Sequence, residues 1–198
     1  MIEKRSEQLH LRKLHISEIT DDMLEWFLDD ALMQYYTNSK ITITKERLIQ
    51  SITQGEETGT SYTFGIFDNA SERCIGTMKL GPINKIHRIS DLVVLIGNKD
   101  FHGKGLAIDA IKLGIRIAFE DFDLRKLYGG MYASNHASIK AYLRAGWVME
   151  GILTGHYYNR GRNEDRLEVG CFNPKYFTLD EINNAVLLKL DEVLLKYS

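Results

Sequence analysis

Cysteine, net charge and long apolar runs are all scarce in this chain of 198 residues. The two cysteines, Cys74 and Cys171, lie far apart inside strand-like segments, which suits small buried side chains and excludes a disulfide framework. The six histidines form no HExxH pair and keep no zinc-type spacing to cysteine, so no metal is expected. A net charge of −2 argues against nucleic acid as a partner. No apolar run approaches the roughly 20 residues of a spanning helix. The opening MIEKRSEQLH also carries no signal-type apolar stretch. The expectation is a cytoplasmic protein without a membrane partner.

The chain does have an ordinary globular composition, 44% hydrophobic and 26% charged, in a length that suits one domain around one core. Leu9 and Leu11 predict a first strand. Thr20, followed by Asp21 and Asp22, predicts a capped helix through Met23, Leu24, Phe27 and Leu28. A second helix is expected over 44–53, ending in the polar GEETGTS loop, and a strand over 62–67 with a turn at 68–70. Strands over 74–80 and 89–96 are expected to be joined through Gly81 and Pro82, since proline cannot donate to a central ladder. The run LVVLI is apolar without alternation, as in a strand covered on both faces, and so points to an α/β layer arrangement.

Helical spacing then holds from 105 to 119 through Leu106, Ala110, Leu113, Gly114, Ile117 and Ala118, and a strand over 127–132 follows. A shorter helix over 135–145 is expected to end at Gly146 in the left-handed conformation. A hairpin at 159–162 joins strands over 153–158 and 167–172. Thr178 and Glu181 form a capping-box pattern before an apolar stripe of Ile182, Val186, Leu190, Val193 and Leu194.

Gly103, Lys104 and Gly105 stand between an apolar strand and an amphipathic helix. A helix start leaves N–H groups unpaired and carries partial positive charge, so it binds a pyrophosphate when no side chain blocks the approach. The alternative is a tight turn with no ligand. Two other phosphate motifs fail on these residues. A P-loop needs GxxxxGK then Ser or Thr, but Gly105 follows the lysine; the GxGxxG fingerprint needs a third glycine where Ile108 stands.

His102-Gly103-Lys104-Gly105-Leu106-Ala107 resembles the pyrophosphate loop of the GNAT superfamily of N-acetyltransferases, written Arg/Gln-x-x-Gly-x-Gly/Ala. NHASIKAYLRAGW resembles its second signature through Asn135, Ser138, Tyr142, Gly146 and Trp147. IGNKDFHGKGLAIDA, EGIL and HYYNRGRNED are similar to the branch holding ribosomal-protein N-terminal, polyamine and amino-sugar acetyltransferases. Departures from the pattern are His102 for Arg or Gln, Trp147 for Phe, and Asp91 where relatives often carry Glu. The resemblance implies a single-domain GNAT fold over residues 1–173, a mixed central β-sheet flanked by helices. An amphipathic C-terminal helix, 174–198, is expected to pack on it.

The resemblance also implies acetyl-CoA as cosubstrate, with the backbone of Leu95, Ile96 and Gly97 along the pantetheine arm and His102, Gly103, Lys104, Gly105, Leu106 and Ala107 around the pyrophosphate. Tyr142 is the implied general acid, the alternative being a packed core tyrosine. Asn135 bonds the coenzyme or a water near the amine, caps its helix, or does both. Asp91 drains the amine's proton through water or is a solvated strand-end carboxylate. Tyr157, Tyr158 and Arg160 shape the acceptor site or belong to an ordinary charged hairpin. The implied partner is a small-molecule amine, an amino-sugar nucleotide or a polyamine. The alternatives are a protein α-amine and, in another class, a non-catalytic acyl-CoA-binding module. The alternative to that helix packing on its own domain is a homodimer formed through it.

Overall fold

The computed structural model describes residues 2–36, 43–186, 192, 195 and 196. Its strands are β1 (Glu3–Arg5), β2 (Leu9–Lys13), β3 (Tyr62–Asp68), β4 (Cys74–Asn84), β5 (Ile89–Ile96), β6 (Lys126–Tyr132), β7 (Val148–Asn159) and β8 (Arg162–Phe172). They form one 8-stranded sheet in the order β1-β2-β3-β4-β5-β6-β8-β7. Every neighbouring pair is antiparallel except β5 with β6. This is the mixed α/β sheet expected.

Helices α1, α2 and α3 begin where a side chain satisfies their orphan amides. The hydroxyl of Thr20 accepts from the Met23 amide at 3.3 Å and opens α1 (Asp21–Leu28). The Asp29 carboxylate accepts from Ala31 and Leu32 and opens the single turn α2 (Asp30–Met33), and Thr44 caps α3 (Lys45–Thr58). The expected stop of α3 near residue 53 is wrong. The helix tolerates Gly55 because a side chain there would strike the Ser61 hydroxyl at 2.2 Å. It stops instead at Gly59, whose φ of 63° lets its N–H close on Glu56 and Gly55 carbonyls.

Gly81 and Pro82 do not separate two strands either. They lie inside β4, where the register against β5 shifts between Leu80 and Ile83. The shift absorbs the missing proline donor, and the turn comes later, with Arg88 at φ 50°. The three-residue β1, an edge strand, had no sequence signal.

Helix α4 (Leu106–Arg116) continues as a π-helical turn, Ile117–Asp121, and packs with α5 (His136–Arg144) on one face of the sheet. Leu9, Leu11, Phe64, Ile66, Met78 and Leu92 meet Ala110, Ile111 and Ile117 there. The approach is close: a Cβ at Gly114 would sit 2.9 Å from Leu92 Cδ1. The other face carries a smaller cluster of Leu14, Ile19, Met23 and Ile52, with Trp26 and Leu48 packed against it. Gly146 ends α5 at φ 98° as expected. Cys171 is buried, Cys74 half-buried, and both are free thiols. The Thr178–Glu181 capping box opens α6 (Leu179–Ala185); Leu190, Val193 and Leu194 of the expected stripe lie outside the described residues.

Candidate active site

The parallel pair β5–β6 is joined only from Ile89↔Lys126 to Asp91↔Tyr128. Beyond Asp91, β5 stays with β4 as far as Gly76↔Ile96, while β6 stays with β8 as far as Tyr132↔Arg166. The two strands therefore diverge and leave a cleft of about 450 Å³. Tyr142 of α5 fills its closed end, donating from its hydroxyl to the Leu92 carbonyl at 2.8 Å and accepting from the Val94 amide at 3.3 Å. Trp147 packs edge-on against the phenol ring at 4.9 Å, which fixes its tilt.

Those two bonds reveal which backbone groups face the cleft. The Gly97 amide donates to the Ile75 carbonyl at 2.9 Å, and groups in an antiparallel ladder alternate sides with a period of two. Gly97, Leu95 and Val93 thus turn their peptide groups toward β4, whereas Leu92, Val94 and Ile96 turn theirs toward the gap. Of Leu95, Ile96 and Gly97, the three residues expected to lie along the pantetheine arm, only Ile96 presents its backbone there. Val94, which the sequence reading missed, is its companion; strand alternation counted back from Gly97 was the available signal. Gly97 is needed for packing, since a Cβ would come within 2.0 Å of the Trp26 ring.

The edge of β5 leads into the glycine loop. The Asn98 side chain accepts from the Asp100 amide at 3.0 Å, and His102 Nε2 donates to the Ile96 carbonyl at 2.8 Å. The imidazole thus braces the loop against the strand end. Gly103 and Gly105 follow at φ 74° and 77°, and a Cβ on either would meet nothing within 4 Å. Helix α4 starts at Leu106 with no side-chain cap. The side chain of Leu106 is in the core, so only its backbone is available at the helix start, and Ala107 lines the cleft. The exposed Lys104 holds its Nζ 5.1 Å above the Phe101 ring.

Asp91 marks the point of divergence. Burial pushes its carboxyl up to about 6, against the pull of the Leu92 amide, Arg166 and Lys79. Burial likewise holds the Tyr142 phenol well above the usual tyrosine value, reinforced by the Asp91 charge. Tyr36, which nothing in the sequence singled out, lines the same cleft and is raised for the same two reasons.

Asn135 does cap α5, its Oδ1 accepting from the Ser138 amide at 3.2 Å, and it also lines the cleft. The three hairpin residues do not act together. A bulge between Leu153 and Tyr157 on β7 brings Tyr157 to the cleft wall, stacked on Tyr132 at 3.8 Å. Its neighbour Tyr158 is 79% exposed. Arg160 donates to Gln34 Oε1 at 2.9 Å and so reaches the cleft only through that partner. Glu164 accepts from the Ser134 amide and from Asn159, which ties the hairpin to the start of α5.

A second cavity, about 470 Å³, lies on the opposite face of β5 beneath α1 and α3. It shares Asp91, Tyr36, Val93 and Leu95 with the cleft and adds Thr63, Thr77 and Lys79. Among the described residues, no three His, Cys, Asp or Glu side chains converge as metal ligands would, and no helix is long and apolar enough to cross a membrane.

The family model described as "Acetyltransferase (GNAT) domain" matches residues 8–148. The "Probable N-acetyltransferase YjcK" of Bacillus subtilis (strain 168) is 29% identical over 157 residues, 77% of this chain and 82% of that protein. The spermidine N(1)-acetyltransferase of Escherichia coli (strain K12) is 29% identical over 114 residues, 58% of this chain; the match spans only 61% of that relative's length. In fold, the chain is similar to the crystal structure of spermidine N-acetyltransferase from Vibrio cholerae in complex with CoA and spermine. The TM-score is 0.77 at 23% identity, covering 87% of this chain and all of that one.

Proposed function

The chain belongs to the acetyltransferase (GNAT) domain family, and from that premise we propose that it moves an acetyl group from acetyl-CoA to the primary amine of a small molecule. One observation carries the reading: the edge of β5 at Val94 and Ile96, paired with no strand beyond Asp91, runs directly into the uncapped, glycine-flanked start of α4. That pairing of an extended edge with an anion-binding helix start fits the two ends of coenzyme A, an amide-bearing arm and a diphosphate. The curated relatives that are spermidine acetyltransferases support a small amine as acceptor.

Bound acetyl-CoA supplies an activated acyl carbon, at which a C–N bond forms as the C–S bond breaks. The chain's own residues handle the two protons and the charge. Asp91, ionised above about 6, takes the amine's proton through water. Tyr142, kept protonated by burial, turns its hydroxyl hydrogen from the Leu92 carbonyl toward the departing sulfur. The Ile96 amide, on the cleft side of β5, would polarise the thioester carbonyl oxygen. Asn135 fixes the start of α5 and hence the ring of Tyr142.

Release of free thiol from acetyl-CoA, measured against a panel of primary amines, tests the reading. Amine-dependent release is expected. Coenzyme binding with no release for any amine would make the chain a non-catalytic acyl-CoA-binding module. We further propose a homodimer held through the segment 174–198. Light scattering on the full chain and on a chain ending at Asn173 is expected to give dimer and monomer; a monomer in both removes the dimer.

A further inference from the structure

The two cavities that meet at Asp91 are unequal in charge. Among the described residues lining either one, Asp91 is the only carboxylate, while Lys79 and Arg47 contribute cations. A polyamine keeps further ammonium groups after one nitrogen has reacted. In the second cavity the Asp91 carboxylate can face only one of them, and the next would lie close to the like charge of Lys79.

Lys79 has a defined place in this cavity. It pairs with Val93 across the β4–β5 ladder, and Asp91 lies two residues along on the same face of the sheet. The diagonal spacing of such neighbours is about 7–8 Å. The register shift at Gly81 and Pro82 leaves no long side chain opposite Asp91. The exposed Lys79 makes no ion pair among the described residues. The walls between the two charges are mostly apolar, with Leu14, Phe27, Ile52 and Val93, and the hydroxyls of Thr63 and Thr77 interrupt them.

We propose that the acceptor is a monoamine that carries an anionic group, carboxylate or phosphate, and that it seats in the cavity under α1 and α3 with its amine at Asp91 and its anion at Lys79. The proposal rests on the reading of the chain as an N-acetyltransferase. It assigns Lys79 as the residue that selects against polyamines. The electrostatic logic is that of a zwitterion facing its complement, in which like charges oppose the wrong ligand as strongly as opposite charges favour the right one.

The test is thiol release by the full chain with four acceptors: γ-aminobutyrate, glucosamine phosphate, butylamine and spermidine. The expected order places at least one anionic acceptor above both butylamine and spermidine, by about tenfold or more in kcat/KM. Which of the two anionic acceptors leads distinguishes carboxylate from phosphate. Lys79→Glu is expected to raise KM for that acceptor about tenfold or more and to shift preference toward spermidine, with KM for acetyl-CoA unchanged. Lys79→Ala is expected to abolish the advantage of the anionic acceptor over butylamine. Spermidine as the best acceptor of the wild-type chain, or Lys79→Glu slowing all acceptors equally, overturns the proposal while the acetyltransferase reading stands. No thiol release with any amine, together with no binding of acetyl-CoA, overturns both.

Discussion

Replacing Asp91 with asparagine separates what the site costs from what it does. In the folded chain the carboxyl is raised from 3.8 to about 6, a difference of about two pKa units, worth roughly 3 kcal/mol at about 1.4 kcal/mol per unit. Because the folded value lies above the unfolded one, folding takes up a proton between them, and stability falls as pH rises through that window. Below it both states are protonated and nothing is lost; above about 6 the full cost of burying the charge is present.

An asparagine side chain has nearly the shape of the protonated acid and never ionises. Asp91→Asn should therefore stabilise the chain at pH ~8 by at most about 3 kcal/mol, or about 6–12 °C in Tm for a chain of this size, and by almost nothing near pH ~4. Urea unfolding of both proteins at the two pH values measures it. The same variant should lose about 10²-fold or more in kcat/KM, together with the rise of the wild-type profile near pH ~6. A variant no more stable than wild type at pH ~8, or equally stabilised at both, would refute the claim that burial of an ionised Asp91 is the dominant effect there.

Tyr142→Phe removes the proton donor and leaves the Leu92 carbonyl and Val94 amide without their partner. It should lower kcat by about 10²-fold or more and stability by about 1–3 kcal/mol, with the affinity for coenzyme A preserved. An unchanged kcat removes the assignment. Gly76→Ala would place a methyl 2.2 Å from the Leu95 carbonyl oxygen, so it should cost about 1–3 kcal/mol in denaturant unfolding and weaken coenzyme binding by displacing β5. Unaltered stability would show that the β4–β5 pair yields more easily than its contacts indicate.

The sequence disclosed the parts of this molecule that depend on local chemistry. The caps at Thr20 and Thr178, the left-handed Gly146 and the bare helix start after Gly105 all follow from what their own side chains can or cannot bond. Elements governed by partners distant in sequence were misread or missed. Gly55 looks like a helix stop until Ser61 is seen packed on it, and Pro82 looks like a strand break until the register shift beside it is known.

The same division runs through the candidate site. The glycine loop and Tyr142 were legible because a motif spells them. Val94 was not, because which peptide groups face the cleft is decided by the pairing of Gly97 with Ile75. Tyr36 and Lys79 have no local signature, and they matter only because the fold brings them to Asp91. Tyr158, by contrast, was legible as part of an aromatic hairpin and yet points away, since a bulge at residues 153–157 decides which of two adjacent tyrosines faces inward.

If coenzyme A lies along the edge of β5 beyond Asp91 with its diphosphate on the amides that open α4, a side chain placed over that helix start must weaken its binding. Calorimetric titration of coenzyme A into the wild-type chain and into Gly105→Val tests it most directly. A valine there must hold a φ of 77° and would project its side chain into space that is now open within 4 Å. Saturable binding to the wild type is expected, with affinity weakened by about tenfold or more in the variant and the folded fraction of both verified by circular dichroism. Equal affinity in the two proteins, or no heat from the wild type, would contradict it.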